Sequence, residues 1–150
     1  PATGEPMAVT PLAPDREAAI RARIAAIPMM ETLGIRVTAM GEGTCTIVVP
    51  YRKEYDGIFE SFHGGLLMTA ADTVACFAVL TITGPDEVMT TTDMNIRFLA
   101  PCMTDLTVVA KTIKVGRTMC PVHADLYDAH GKHVAVAQVN YMRLPRLTGR

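Results

Sequence analysis

The 150-residue chain contains no Trp, and aromatic residues make up only 5% of it. Charged residues are 19%, with 14 Lys and Arg against 15 Asp and Glu, giving a formal net charge of −1. No run of like charge stands out, so there is no electrostatic footprint for a nucleic acid. The four cysteines, at 45, 76, 102 and 120, form no CxxC pair and no secreted disulfide framework. That pattern argues against a zinc site, and three of the four read as small buried hydrophobes. No internal repeat or low-complexity segment appears, and the start lacks the charged-then-apolar pattern of a signal peptide. A cytoplasmic location is expected.

Long hydrophobic runs are also scarce: there is one, "LLMTAADTVACFAVLTI" at 66–82. It is short for a bilayer span and carries Asp72 near its middle, which would be costly in lipid, so it reads as a buried core helix and not a membrane segment. Hydrophobic residues are 49% of the chain, enough for one domain with its own core.

Residues 1–14, with Pro1, Pro6, Pro11 and Pro14, read as a loose tail, and residues 15–150 as a single domain. Asp15 is placed to cap a short helix, "REAAIRARIAAI", with Ile20, Ile24 and Ile27 on one face and Pro28 as its stop. "GIRVTAM" and "GTCTIVVPY" flank a "GEG" turn and read as a hairpin. The apolar helix follows, from about Gly65 to Thr83. Strand-like runs at 88–99, 105–115, 118–128 and 133–143 come next, with turns at "VGRT" and "DAHGKH". The order is hairpin, long helix and antiparallel meander, an α+β pattern. Leu66, Leu67, Ala70, Ala71, Val74, Ala75, Phe77, Ala78 and Val79 cover every side of the helix, so a sheet or a second subunit must wrap it.

Asp72 is the only charge in that helix. A buried carboxylate must be repaid. It could be bonded to a hydroxyl such as Thr69, Thr73 or Thr91 or to a partner subunit, or it could be the base or nucleophile of an active site. "HGG" at 63–65 opens the helix, where unpaired N–H groups and the helix dipole would stabilise an oxyanion. An ordinary loop-to-helix junction needs the same glycines. Along 88–99, alternation puts Thr91, Asp93, Asn95 and Arg97 on one face and Thr92, Met94, Ile96 and Phe98 on the other. The second face packs a core, while the first is either solvated or lines a site. Lys111, Lys114 and Arg117 lie at or near the "VGRT" turn, either as a solvated face or as partners for phosphates. His123, His130 and His133 read as exposed histidines, the last two flanking a turn, and no metal is expected.

Taken together, "FHGGLLMTAADTVACFAV", "TTDMNIRFLAP", "IPMMETLGIRV", "KVGRT" and "VAVAQVNYMRL" resemble the PaaI-like hotdog thioesterases over about Pro28 to Arg143. The resemblance implies a hotdog fold, a long central helix wrapped by a curved antiparallel sheet of about five or six strands. It also implies a dimer or dimer of dimers that hydrolyses acyl-CoA thioesters without a metal or cofactor, coenzyme A being part of the substrate. Asp72 matches the carboxylate that activates water or attacks the thioester, and Gly64 the glycine whose N–H polarises the carbonyl. His63 matches the histidine that shapes this corner, and Thr91 the hydroxyl that orients the water. Gly65, Asn95, Arg97, Arg117 and Thr118 are the candidate substrate or CoA contacts. One departure is Gly57, six residues before His63, where many members carry Asn or Gln. Other readings are a non-catalytic acyl-CoA binder, which Gly57 keeps open, and a hotdog dehydratase or hydratase.

Gly64 and Asp72 lie eight residues apart, a rise of ~12 Å along one helix. An oxyanion donor and a base must each come within roughly 3 Å of one reacting centre. One straight helix cannot do this, but two antiparallel helices of a dimer could, so two shared sites per dimer are expected.

Overall fold

The computed structural model describes residues 8–146. Its elements are α1 (Pro14–Ala25), α2 (Pro28–Leu33), β1 (Arg36–Gly41), β2 (Thr44–Val49), α3 (Gly64–Thr83), β3 (Met89–Phe98), β4 (Leu106–Thr112), β5 (Met119–Tyr127) and β6 (His133–Arg143). The strands form one antiparallel sheet in the order β1-β2-β4-β5-β6-β3.

That order corrects the simple meander expected from sequence. Only β4, β5 and β6 meander. β3 leaves the helix, pairs with β6 and ends at the far edge, while β4 returns to pair with β2. The reason is the helix itself. α3 packs across the face of β2, β4, β5 and β6, so the chain re-enters the sheet at the edge opposite the first hairpin.

Period-2 alternation builds the sheet's inner face. Leu106, Val108 and Ala110 of β4, Cys120, Val122, Ala124 and Leu126 of β5, and Ala135, Ala137 and Val139 of β6 are all buried. Against them lies α3, with Leu67, Ala70, Ala71, Val74, Phe77, Ala78 and Leu80 buried. Each large side chain removed from water contributes about 1.5–3 kcal/mol. Small residues at 70, 71, 75 and 78 let the helix sit close to the sheet. α3 is long and apolar enough to cross a bilayer by length and composition, yet it is the core helix of this sheet. Leu66, Met68, Thr69, Asp72, Thr73 and Cys76 are only half-buried, so the helix is not uniformly covered. A central helix wrapped by a six-stranded antiparallel sheet is the hotdog arrangement.

The N-terminal expectations change in detail. Asp15 is not the cap: Ala13 occupies that position without a side-chain bond, and Asp15 lies in the first turn after Pro14. Ile20 and Ile24 are buried, with Ile27 half-buried. Pro28 does not merely stop α1, which ends at Ala25. It starts α2, where its missing N–H costs nothing. Arg16 donates to the Ile82 carbonyl, and Arg23 to those of Pro85 and Glu87, so α1 supplies cations to the C-terminal end of α3. The expected tail falls partly on residues 1–7, outside the described residues. Residues 8–13 lie against the first hairpin: Leu12 is buried and the Thr10 carbonyl accepts from the Glu42 N–H at 2.8 Å.

The tight turn between β1 and β2 needs Gly43, with φ of 71°. A Cβ there would stand 2.7 Å from Thr112 Oγ1. Its N–H donates to the buried Thr81 hydroxyl at 2.8 Å, which ties the turn to α3.

Candidate active site

The loop before α3 sets the helix start. Tyr51 donates to the Asp56 carboxylate, whose oxygens lie 2.9 and 2.8 Å away. The His63 N–H donates to the Tyr55 carbonyl and the Phe62 N–H to that of Cys102, each at 2.8 Å. His63 is the N-cap of α3: its Nδ1 accepts from the Gly65 N–H at 2.9 Å. That bond makes Nδ1 an acceptor and commits the Gly65 N–H, so Gly65 does not offer that donor to a substrate. The Gly64 N–H donates to no described residue and is the free donor at the helix end. Phe98 lies over Gly64, whose added Cβ would meet the ring at 3.0 Å. Beside it opens a cavity of about 520 Å³, lined by Phe59, Leu67, Phe98, Leu99 and Cys102 among others.

Asp72 stands two turns further along the same unbroken helix, and its partners come from two strands. Thr91 Oγ1 donates to Oδ1 at 2.7 Å. The Tyr141 hydroxyl lies 2.7 Å from Oδ1 and 2.7 Å from the Asp72 backbone carbonyl. Tyr141 is 5% exposed. Burial is the main reason its phenol holds its proton well above the ordinary range, with Cys76 adding to it. Cys76, one turn after Asp72, is likewise pushed up, to about 11, by burial, and Asp72 adds to the shift.

Thr91 reaches Asp72 through a β-bulge. The β3–β6 register shifts between Thr91 and Asp93: Thr91 opposes Tyr141, Asp93 opposes Asn140, and Thr92 is the extra residue. Side chains directly opposite share a face. Thr91 therefore points inward with Tyr141, while Asp93, Asn95 and Arg97 stay on the outer face. This corrects the alternation read from sequence, which grouped all four. Asp93 accepts from Asn140 Nδ2 at 2.8 Å, and exposed Arg97 donates to the Ile96 carbonyl at 3.2 Å. Asn95 and Arg97 are thus not brought to Asp72 within this chain.

Arg117 and Thr118 are exposed in the β4–β5 hairpin. The Thr118 carbonyl accepts from the Arg143 N–H at 2.7 Å, and Cys120 opposes Tyr141. The hairpin tip therefore lies at the same end of the sheet as Asp72, and Gly64, packed beside Phe98, lies at the other. Of the histidines, only His130 stays in the exposed turn. His123 and His133 are each 2.9 Å from one oxygen of Asp125, and His133 stacks on Tyr127.

Tyr141 is the site residue that sequence reasoning missed. A signal was available: alternation along 133–143 places it inward with Ala135, Ala137 and Val139, and a tyrosine among aliphatic residues needs a partner for its hydroxyl.

The sequence profile of the thioesterase superfamily matches residues 59–135. A protein of Saccharolobus solfataricus to which esterase activity has been ascribed is 30% identical over 102 residues, 67% of this chain and 71% of its own. Among solved structures, the Escherichia coli PaaI protein from the phenylacetic acid degradation operon has a TM-score of 0.81 at 21% identity, covering 89% of this chain and 96% of its own. A thioesterase family protein from Silicibacter pomeroyi has a TM-score of 0.79 at 23% identity, covering 86% and 98%.

Proposed function

The chain belongs to the thioesterase superfamily, and on that premise we propose that it hydrolyses acyl-CoA thioesters to the free acid and coenzyme A. The observation that carries this reading is Asp72: a lone carboxylate on the core helix, held by Thr91 and Tyr141. The thioester carbonyl rests on the free Gly64 N–H at the helix N-terminus, where the developing oxyanion gains most. Asp72 either takes a proton from the attacking water or attacks the carbonyl carbon to give an anhydride that water then opens. In both routes the C–S bond breaks and coenzyme A leaves through its sulfur, as the thiol in the first and as the thiolate in the second. No metal or cofactor takes part. Arg117 and its basic neighbours face the phosphates.

Gly64 and Asp72 cannot serve one thioester within one helix, so we take the dimer as the catalytic unit, with Gly64 of one copy beside Asp72 of the other. Two observations favour such pairing. β3 is a ten-residue edge strand with an open row of backbone groups. Around Gly64 the apolar side chains of Ile58, Phe59, Phe98 and Leu99 are 89%, 87%, 53% and 54% exposed.

Thiol release from a panel of aryl and alkyl CoA esters tests the proposal. The wild type releases thiol from at least one ester, and Asp72→Asn lowers turnover by about a thousandfold with its circular dichroism unchanged. Wild-type-like turnover in that variant removes Asp72 from the chemistry. Gly57 supports a second reading, a non-catalytic binder. Tight CoA-ester binding with no thiol release would favour it.

A further inference from the structure

Two hydroxyls converge on one oxygen of Asp72. Thr91 Oγ1 and the Tyr141 hydroxyl each lie 2.7 Å from Oδ1, whereas no described residue donates to Oδ2. The phenol also lies 2.7 Å from the Asp72 carbonyl oxygen, so one buried group references the carboxylate to the helix backbone. A carboxylate held through one oxygen cannot swing about its terminal torsion, which is otherwise broad. The donors also draw charge onto Oδ1 and leave Oδ2 uncovered.

We propose that Tyr141 is a positioning residue: with Thr91 it anchors Oδ1, so that Oδ2 is the oxygen that meets the water or the thioester carbon. This inference rests on the thioesterase reading above. In the base route, Oδ2 takes a proton from water as the water oxygen bonds to the thioester carbon. The carbonyl electron pair moves onto oxygen and returns as the C–S bond breaks, and the departing sulfur receives the proton from Oδ2. In the nucleophilic route, Oδ2 forms the bond to carbon, the thiolate leaves, and water cleaves the resulting anhydride. Either route needs one oxygen presented steadily, and the two hydroxyls supply that.

Tyr141→Phe removes the donor and keeps the ring. The first readout is independent of turnover. In protein carrying ¹³C at the Asp carboxyls, the Asp72 resonance is identified by its loss in Asp72→Asn. Its chemical shift at fixed neutral pH moves in Tyr141→Phe, because loss of a donor changes the charge on the anchored oxygen. An unmoved resonance overturns the proposal. The second readout is thiol release. kcat falls about 10- to 100-fold while KM stays within about twofold. A raised KM with kcat intact overturns the positioning role. Should Tyr141→Phe not fold, Thr91→Val tests the same anchor, and Thr91→Ser restores what Thr91→Val loses. If the wild type releases no thiol from any ester while the Asp72 resonance still moves, the thioesterase reading fails and the anchoring of Asp72 stands.

Discussion

Thr91 and Asp72, 19 residues apart in sequence, are joined by a 2.7 Å hydrogen bond beside the extra residue Thr92 of β3. Were Thr92 paired in the ladder instead of bulged, the alternation that carries Asp93, Asn95 and Arg97 outward would carry Thr91 with them. The hydroxyl would then face solvent, and Asp72 would keep one donor instead of two.

Deleting Thr92 separates the bulge from the face of Thr91. The strand regains an unbroken register in which Thr91 still opposes Tyr141 and Asp93 still opposes Asn140, so both keep their faces. Thiol release is expected to stay close to wild type, whereas Thr91→Val loses about 10- to 100-fold. A fall in the deletion variant to the Thr91→Val level would show that the bulge itself, and not only the face of Thr91, aims the hydroxyl.

Complementation tests the shared site. Gly64→Ala sets a Cβ 3.0 Å from the Phe98 ring, at the free N–H. That variant and Asp72→Asn are each expected to be nearly inactive. In randomly mixed dimers from equal amounts of the two, about half are heterodimers and each holds one intact site of two, so activity returns to about a quarter of wild type. Mixtures as inactive as their parents would place both groups' work within single chains.

Gly57 offers a gain-of-function test. An added Cβ would meet the His63 ring at 3.4 Å, ordinary contact, and the residue is not among those with positive φ. Gly57→Asn is therefore expected to fold and to supply an amide beside the helix N-terminus, raising kcat/KM about two- to tenfold. A fall in kcat/KM with unchanged thermal stability would mean that an open corner at residue 57 suits the substrate better than an amide.

The buried thiols predict an alkaline weakening. Burial pushes Cys45 up to about 12 and Cys76 up to about 11 from the ordinary thiol value of 9.0. Above pH 9 the unfolded chain releases these protons while the folded chain keeps them. Their contribution is thus fully present below pH 9 and is lost as pH rises through about 11 to 12. The urea midpoint is expected to decline from pH 9 to 11, and a flat midpoint would contradict this. At pH 8 native Cys76 should react with iodoacetamide roughly a hundredfold more slowly than an unperturbed thiol, read by mass spectrometry.

The long helix, the strand positions and Asp72 were legible from sequence because each leaves a one-dimensional mark. An apolar run of helical length admits one explanation in a chain this size, and a single carboxylate within it is conspicuous. Inward alternation at Leu106, Val108 and Ala110, and at Val122, Ala124 and Leu126, likewise repeats every two residues. Pro28 misled because proline both ends one helix and begins the next, and sequence alone does not say which. His133 was read as a turn residue, although the Asp125 that holds it comes from the neighbouring strand.

The sequence by itself determined that one apolar helix must be largely buried and that Asp72 is the one charge it carries. It also set Gly64 and Asp72 too far apart on that helix to act together in one chain. Those conclusions follow from periodicity and rise per residue, which are local. Tertiary structure alone decided that β3 lies at the sheet's edge beside β6, that the bulge turns Thr91 inward, and that Tyr141 meets the same carboxylate oxygen. The reason is physical: strand order and register are settled by how side chains pack across elements, and no spacing within one strand carries that information.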